Sequence, residues 1–204
     1  MENIYPMLIA FFMIFVSELG DKTQILVMSF SGKQKIATIL LGVALGTFFS
    51  HGLAILFGSY IGAINNENVK LILDFATNII FIIFGLIFLF NKEKEESDEN
   101  KTGLLSKLAN IKLNYILIIA ISIAVGELGD KTFLAAIGLG IQYAKYKIPL
   151  VIGAIMGMVI SDLLAIILGK IISKKIPEEL MKKISGILFI IFGIIEILLK
   201  LIKL

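Results

Sequence analysis

The chain has 204 residues, is 58% hydrophobic and carries a formal net charge of +3, with a mean hydropathy of +0.97. Soluble domains average roughly 45–50% apolar residues, so this composition excludes an ordinary soluble domain, and the absence of cysteine excludes disulfides, thiolate metal ligands and lipidation at Cys. The positive charge is all lysine, gathered near the ends of apolar runs, which fits membrane topology and not nucleic-acid binding.

Six apolar runs are long enough to cross a bilayer core, which takes about 20 residues. They predict spans at 4–30, 36–62, 69–90, 113–140, 148–170 and 181–203. The short alternating strands of a transmembrane barrel are missing, so the expected fold class is an all-α polytopic membrane protein. The first run reads as a span and not a signal peptide: it has no basic start and no small-residue cleavage site. Spans one and four reach about 27 residues, or ~40 Å if wholly helical. That exceeds a ~30 Å core, so they are expected to be tilted or interrupted. The segment "NKEKEESDENKTG" at 91–103 reads as a solvated linker.

The two halves repeat. Glu18, Gly20, Asp21, Lys22 and Thr23 recur 109 positions later as Glu127, Gly129, Asp130, Lys131 and Thr132. On spans two and five, Gly42, Gly46, Ser50, Ala54 and Gly58 fall on Gly153, Gly157, Ser161, Ala165 and Gly169. "FIIFG" occurs at 81–85 and again at 189–193. This gives a first three-helix repeat at 1–90, a charged linker at 91–112 and a second repeat at 113–204. Three spans per half place the halves in opposite orientation. Of the 17 lysines outside the motifs, 12 lie at 31–35, 91–112 and 170–183. The positive-inside rule puts those connections in the cytoplasm and both termini outside. Inverted repeats sharing a midplane site are typical of secondary transporters.

The repeated motifs fall near mid-span, where a central Asp or Lys costs about 2.5–3.5 kcal/mol on insertion scales. The groups must therefore face each other or water. On a continuous helix Glu18 and Asp21 share a face, as do Glu127 and Asp130. Crossing the two helices gathers four carboxylates as metal ligands, with Lys22 and Lys131 pairing with them or acting as moving counter-charges. The hydroxyls of Thr23, Thr132, Ser50 and Ser161 add hard oxygen donors suited to Ca²⁺, Mn²⁺ or Mg²⁺. The motif glycine either loosens the helix, freeing carbonyls, or packs helices closely. The ladders at Gly42/Gly46 and Gly153/Gly157 read as packing seams. His51 and Asp162 occupy equivalent positions and are candidates for a coupling or supporting role, or for polar groups satisfied by a neighbouring helix. Gln24 either ligates an ion or bonds a neighbour. Asp74 reads as interfacial, and Glu196 as snorkelling towards Lys200.

The doubled Glu-x-Gly-Asp-Lys-Thr motif, at Glu18–Thr23 and Glu127–Thr132 in a six-span chain, resembles the Golgi and chloroplast Ca²⁺/Mn²⁺:H⁺ antiporter family, also called uncharacterised protein family 16. The resemblance covers nearly the whole chain. It implies proton-coupled export of Mn²⁺ or Ca²⁺ from the cytosol, with Glu18, Asp21, Glu127 and Asp130 important for transport and Thr23 and Thr132 beside them. The cation is then a transported substrate and not a resident cofactor. The expected partners are protons, a divalent cation and membrane lipid, with no nucleic acid and self-association left open. Without the long N-terminal extension of eukaryotic members, the expected location is a prokaryotic plasma membrane. Rival readings are an exporter of basic amino acids, a passive channel, and an intramembrane aspartyl protease built on Asp21 and Asp130. The last is weakened by Leu128, where the protease motif has glycine.

Overall fold

The computed structural model describes residues 3–31, 34–64, 66–90, 114–172 and 178–202. The linker expectation at 91–112 therefore lies outside the described residues. The described structure is helical, with no strand among the described residues.

The first apolar run is two helices, α1 (Ile4–Ser17) and α2 (Lys22–Ser31), with the motif at the break. The second run is α3 (Ile36–Thr47), a π-helical turn (Phe48–Gly52) and α4 (Leu53–Gly62) in unbroken succession; α5 (Glu67–Phe90) follows. In the second half, α6 (Tyr115–Glu127) and α7 (Lys131–Gln142) again flank a break at the motif. A 3₁₀ turn (Ala144–Tyr146) leads into α8 (Lys147–Ile172), and α9 (Glu178–Ile202) closes the chain. The stretches Ile36–Gly62, Asn68–Ile87 and Ala144–Ile167 are long and apolar enough to cross a membrane; α1 and α6 are shorter apolar helices. Large apolar side chains such as Phe57, Tyr60, Ile72 and Ile148 stay on the outside, as expected where the surroundings are themselves apolar.

The breaks have a stated cause. Gly20 and Gly129 take φ of +85° and +81°, and they are the positive-φ glycines of the described chain. An L residue with a side chain resists that region, so the α-helical hydrogen-bond ladder cannot run through. Each break closes as a tight turn, Asp21 N–H to the Glu18 carbonyl at 3.2 Å and Asp130 N–H to the Glu127 carbonyl at 3.1 Å. A Cβ added to Gly129 would meet nothing within 4 Å, so this glycine serves backbone conformation and not close packing. The first and fourth apolar runs are thus interrupted.

The glycine ladders do pack helices. A Cβ on Gly42 would come within 2.7 Å of Ile119 Cβ, and one on Gly46 within 2.7 Å of the Ala120 carbonyl. These seams press α3 on α6. Equivalent glycines press α8 on α1: a Cβ on Gly153 would lie 2.2 Å from the Met7 carbonyl, and on Gly157 2.7 Å from the Phe11 carbonyl. Each seam therefore joins one half of the chain to the broken helix of the other. α5 packs along α9, with Phe81 edge-on to Phe189.

Candidate functional site

The breaks decide where the motif side chains go. Glu18 stands at the C-terminal cap of α1 and Glu127 is the last residue of α6. Both are only 1% exposed. The backbone turns that follow carry Asp21 and Asp130 to the starts of α2 and α7, half-buried. Carboxylate proximity therefore comes from a turn and not from one helical face, as an unbroken helix would have given.

Threonine ties each pair. The Thr23 hydroxyl lies 3.4 Å from both Glu18 Oε2 and Asp21 Oδ2; the Thr132 hydroxyl lies 3.3 Å from both Glu127 Oε2 and Asp130 Oδ2. The two halves thus hold the same three-residue arrangement. They also touch: a Cβ on Gly126 would sit 3.4 Å from Thr23 Cγ2.

Glu18 and Glu127 converge, joined by a third residue. One ligand-capable atom each from Glu18, His51 and Glu127 lie within 4.8 Å of one another, all buried. His51 Nε2 and Glu127 Oε1 find no hydrogen-bond partner, although buried polar groups almost always have one. The π-helical turn carries His51, and such turns recur at functional sites because they re-aim a side chain from a helix. Asp21, Asp130 and Asp162 stand within electrostatic range of Glu18 but outside this cluster of three.

Gln24 bonds its neighbours. Gly20 N–H donates to Gln24 Oε1 at 2.9 Å, and Gln24 Nε2 donates to Ser161 Oγ at 2.7 Å. It fastens the first break to α8. Ser50 donates to the Gly46 carbonyl at 3.1 Å and sits 3.1 Å from His51 Nδ1. Asp162, the sequence counterpart of His51, is fully buried with both carboxylate oxygens unpartnered. Lys131 is half-buried and engaged in an interaction; the Lys22 side chain lies outside the described residues.

Away from this cluster, one expectation is corrected, that Glu196 reaches towards Lys200. Asp74 is buried, 2% exposed, and it is Asp74 that pairs with Lys200 from α9. Glu196 instead accepts from Tyr5, at 3.0 Å, and from Tyr143. Packing of α5 against α9 gives Lys200 a partner that the i, i+4 spacing did not reveal.

With this geometry in view, the chain matches the family model described as divalent cation/proton antiporter GDT1 over residues 6–96 and 115–201. It is 26% identical to a Vibrio cholerae protein provisionally named a manganese exporter, across 88% of this chain and 84% of that protein. It is 30% identical to a GDT1-like protein of Synechocystis, across 90% and 92%. A GDT1-like protein of Schizosaccharomyces pombe is 38% identical across 40% of this chain and 30% of that protein. No solved structure matches.

Proposed function

This chain belongs to the GDT1 family of divalent cation/proton antiporters, and we propose that it exports Mn²⁺ or Ca²⁺ from the cytosol in exchange for protons, using a site between Glu18 and Glu127. The family is one of transporters and not enzymes, which removes the protease reading. The observation that carries the proposal is the convergence of two buried glutamates, from opposite halves, each at the carbonyl end of a broken helix. Half-helix C-termini present unpaired carbonyls and partial negative charge, the feature that suits them to cations. Two glutamates carry the charge that one divalent ion neutralises. Two protons neutralise it equally well, so ion and protons compete for the same oxygens. Asp21 and Asp130, linked through Thr23 and Thr132, stand beside the site as the groups that hand ions or protons on.

We infer the movement from the architecture. We take 1–90 and 113–204 as two inverted repeats of three spans each, joined by a cytoplasmic linker, with both termini outside the cell membrane. The seams α3–α6 and α8–α1 cross between halves, so rocking one half against the other would open the glutamates to one side at a time. Cation enters from the cytoplasm and displaces protons; after the rocking step it leaves outside, and the carboxylates take up protons again. Proton-coupled Mn²⁺ and Ca²⁺ flux in liposomes tests this. Glu18→Gln and Glu127→Gln should each abolish flux, and wild-type flux in both variants would overturn the proposal.

A further inference from the structure

The antiport reading needs carboxylates; the structure adds an imidazole. We propose that His51 ligates the transported ion directly through Nε2, and that this nitrogen tilts the site towards a first-row transition ion over Ca²⁺. The inference rests on the transport reading above and deepens it.

Three observations converge. First, the hydrogen-bond network accommodates the tautomer that a metal-bound imidazole needs. Ser50 Oγ lies 3.1 Å from the Gly46 carbonyl, which can only accept, and 3.1 Å from His51 Nδ1. With the hydroxyl proton on the Gly46 carbonyl, Nδ1 donates to Oγ and Nε2 offers its lone pair to an ion. Second, Nε2 is fully buried and has no hydrogen-bond partner. One ring nitrogen of His51 lies with one oxygen each of Glu18 and Glu127, all within 4.8 Å of one another, and Nε2 is the nitrogen that Ser50 leaves free. Three electron-rich atoms brought together away from water repel one another, and a cation among them reverses the sign. An ion held at about 2.0–2.6 Å from each ligand keeps its donors no more than about 4–5 Å apart, and this triangle lies within that bound. Third, the support is of the kind metal-bound histidines have. The other ring N–H is held by a neighbour, here a hydroxyl anchored on a backbone carbonyl, which fixes ring orientation. The π-helical turn Phe48–Gly52 supplies the placement.

The donor set is then one nitrogen and carboxylate oxygen. Ca²⁺ takes oxygen ligands, whereas first-row transition ions accept imidazole readily. The other half of the chain has Asp162 at the equivalent position, so only the first half contributes nitrogen.

The chain contains a single histidine, which makes the test direct. The full-length protein, on a histidine-free affinity tag, is loaded with Mn²⁺ and examined by electron spin-echo envelope modulation. Nitrogen modulation from Mn²⁺ is expected, and it should change when the protein is labelled with ¹⁵N-histidine. His51→Gln should weaken Mn²⁺ binding by about tenfold or more while changing Ca²⁺ binding by less than about threefold, and His51→Asp should move preference towards Ca²⁺. If His51→Gln fails to fold, the labelled wild-type spectrum still decides. Bound Mn²⁺ without histidine coupling, lost in Glu18→Gln and Glu127→Gln, overturns the role of His51 and leaves the transport reading standing. Mn²⁺ binding and flux that survive both glutamate substitutions overturn the two together.

Discussion

The side-chain amide of Gln24 donates to the hydroxyl of Ser161 at 2.7 Å, across 137 positions of sequence. Gln24 also accepts from the Gly20 amide inside the first helix break, so one residue fastens that break to α8. Gln24→Ala and Ser161→Ala should each destabilise the fold, with a coupling energy of about 0.5–1.5 kcal/mol in a double-mutant cycle. Thermal unfolding in detergent measures it; additive effects would show that the contact contributes nothing.

The two classes of glycine should respond oppositely to substitution. At Gly129 there is room but φ is +81°, so Gly129→Ala should cost about 1–2 kcal/mol, and Gly129→Asn less, because Asn tolerates that region better. At Gly46 the backbone is ordinary but the Ala120 carbonyl is in the way. Gly46→Ala and Gly46→Asn should there rank by size, with Asn worse. Melting temperatures of the four variants give the ranking.

Ion binding should be visible as stability. A ligand at about 100 times its Kd stabilises the folded state by about 2.7 kcal/mol. Mn²⁺ should therefore raise the melting temperature of the wild type by several degrees, while Glu18→Gln and Glu127→Gln should lose that response. Because the oxygens must be deprotonated to hold the ion, the response should shrink as pH falls. A Mn²⁺ shift of equal size at pH 5 and pH 8 would contradict exchange of ion for protons.

Ser50 acts on the site only through the ring it holds. Ser50→Ala should weaken Mn²⁺ binding about 10- to 100-fold, as loss of a group supporting a metal ligand does. Ser50→Thr keeps the hydroxyl and should restore most of the affinity. Isothermal titration of the two variants separates loss of the hydrogen bond from general disturbance of the helix.

A last prediction concerns the polar groups of α5 and α9. Asp74 is buried and Lys200 is its ion-pair partner. Lys200→Met should leave a buried carboxylate unpaired and cost about 3 kcal/mol, more than Lys147→Met at an exposed position. Lys200→Met with Asp74→Asn should recover part of the loss. Chemical denaturation in mixed micelles provides the comparison.

Much of this arrangement was legible in the sequence, for reasons that can be named. The doubled motif and the glycine ladders are spacings, and spacing survives folding: Gly42 and Gly153 lie in seams because small residues every fourth position mark a packed face. The glycine inside the motif left two readings open, since both need the same residue; φ at Gly20 and Gly129 separates them. His51 was legible only as the counterpart of Asp162. A single imidazole makes no pattern, a π-helical turn has no sequence signature, and its aim depends on how α3 packs against α6. Local spacing points Glu196 at Lys200, whereas Tyr5 and Tyr143 reach it only through tertiary packing.

The wide turn at Phe48–Gly52 also resets the winding of everything after it. Without it α4 would leave the turn rotated about its axis, and Gly58 and Gly62 would no longer meet the Ile137 and Ile141 carbonyls of α7. One membrane helix can thereby grip α6 with its first part and α7 with its second, straddling the very interruption between them. Removing a single residue from that turn would leave α3 on α6 but throw α4 out of phase with α7, so its length works as a gear tooth that keeps two helices and one imidazole in step.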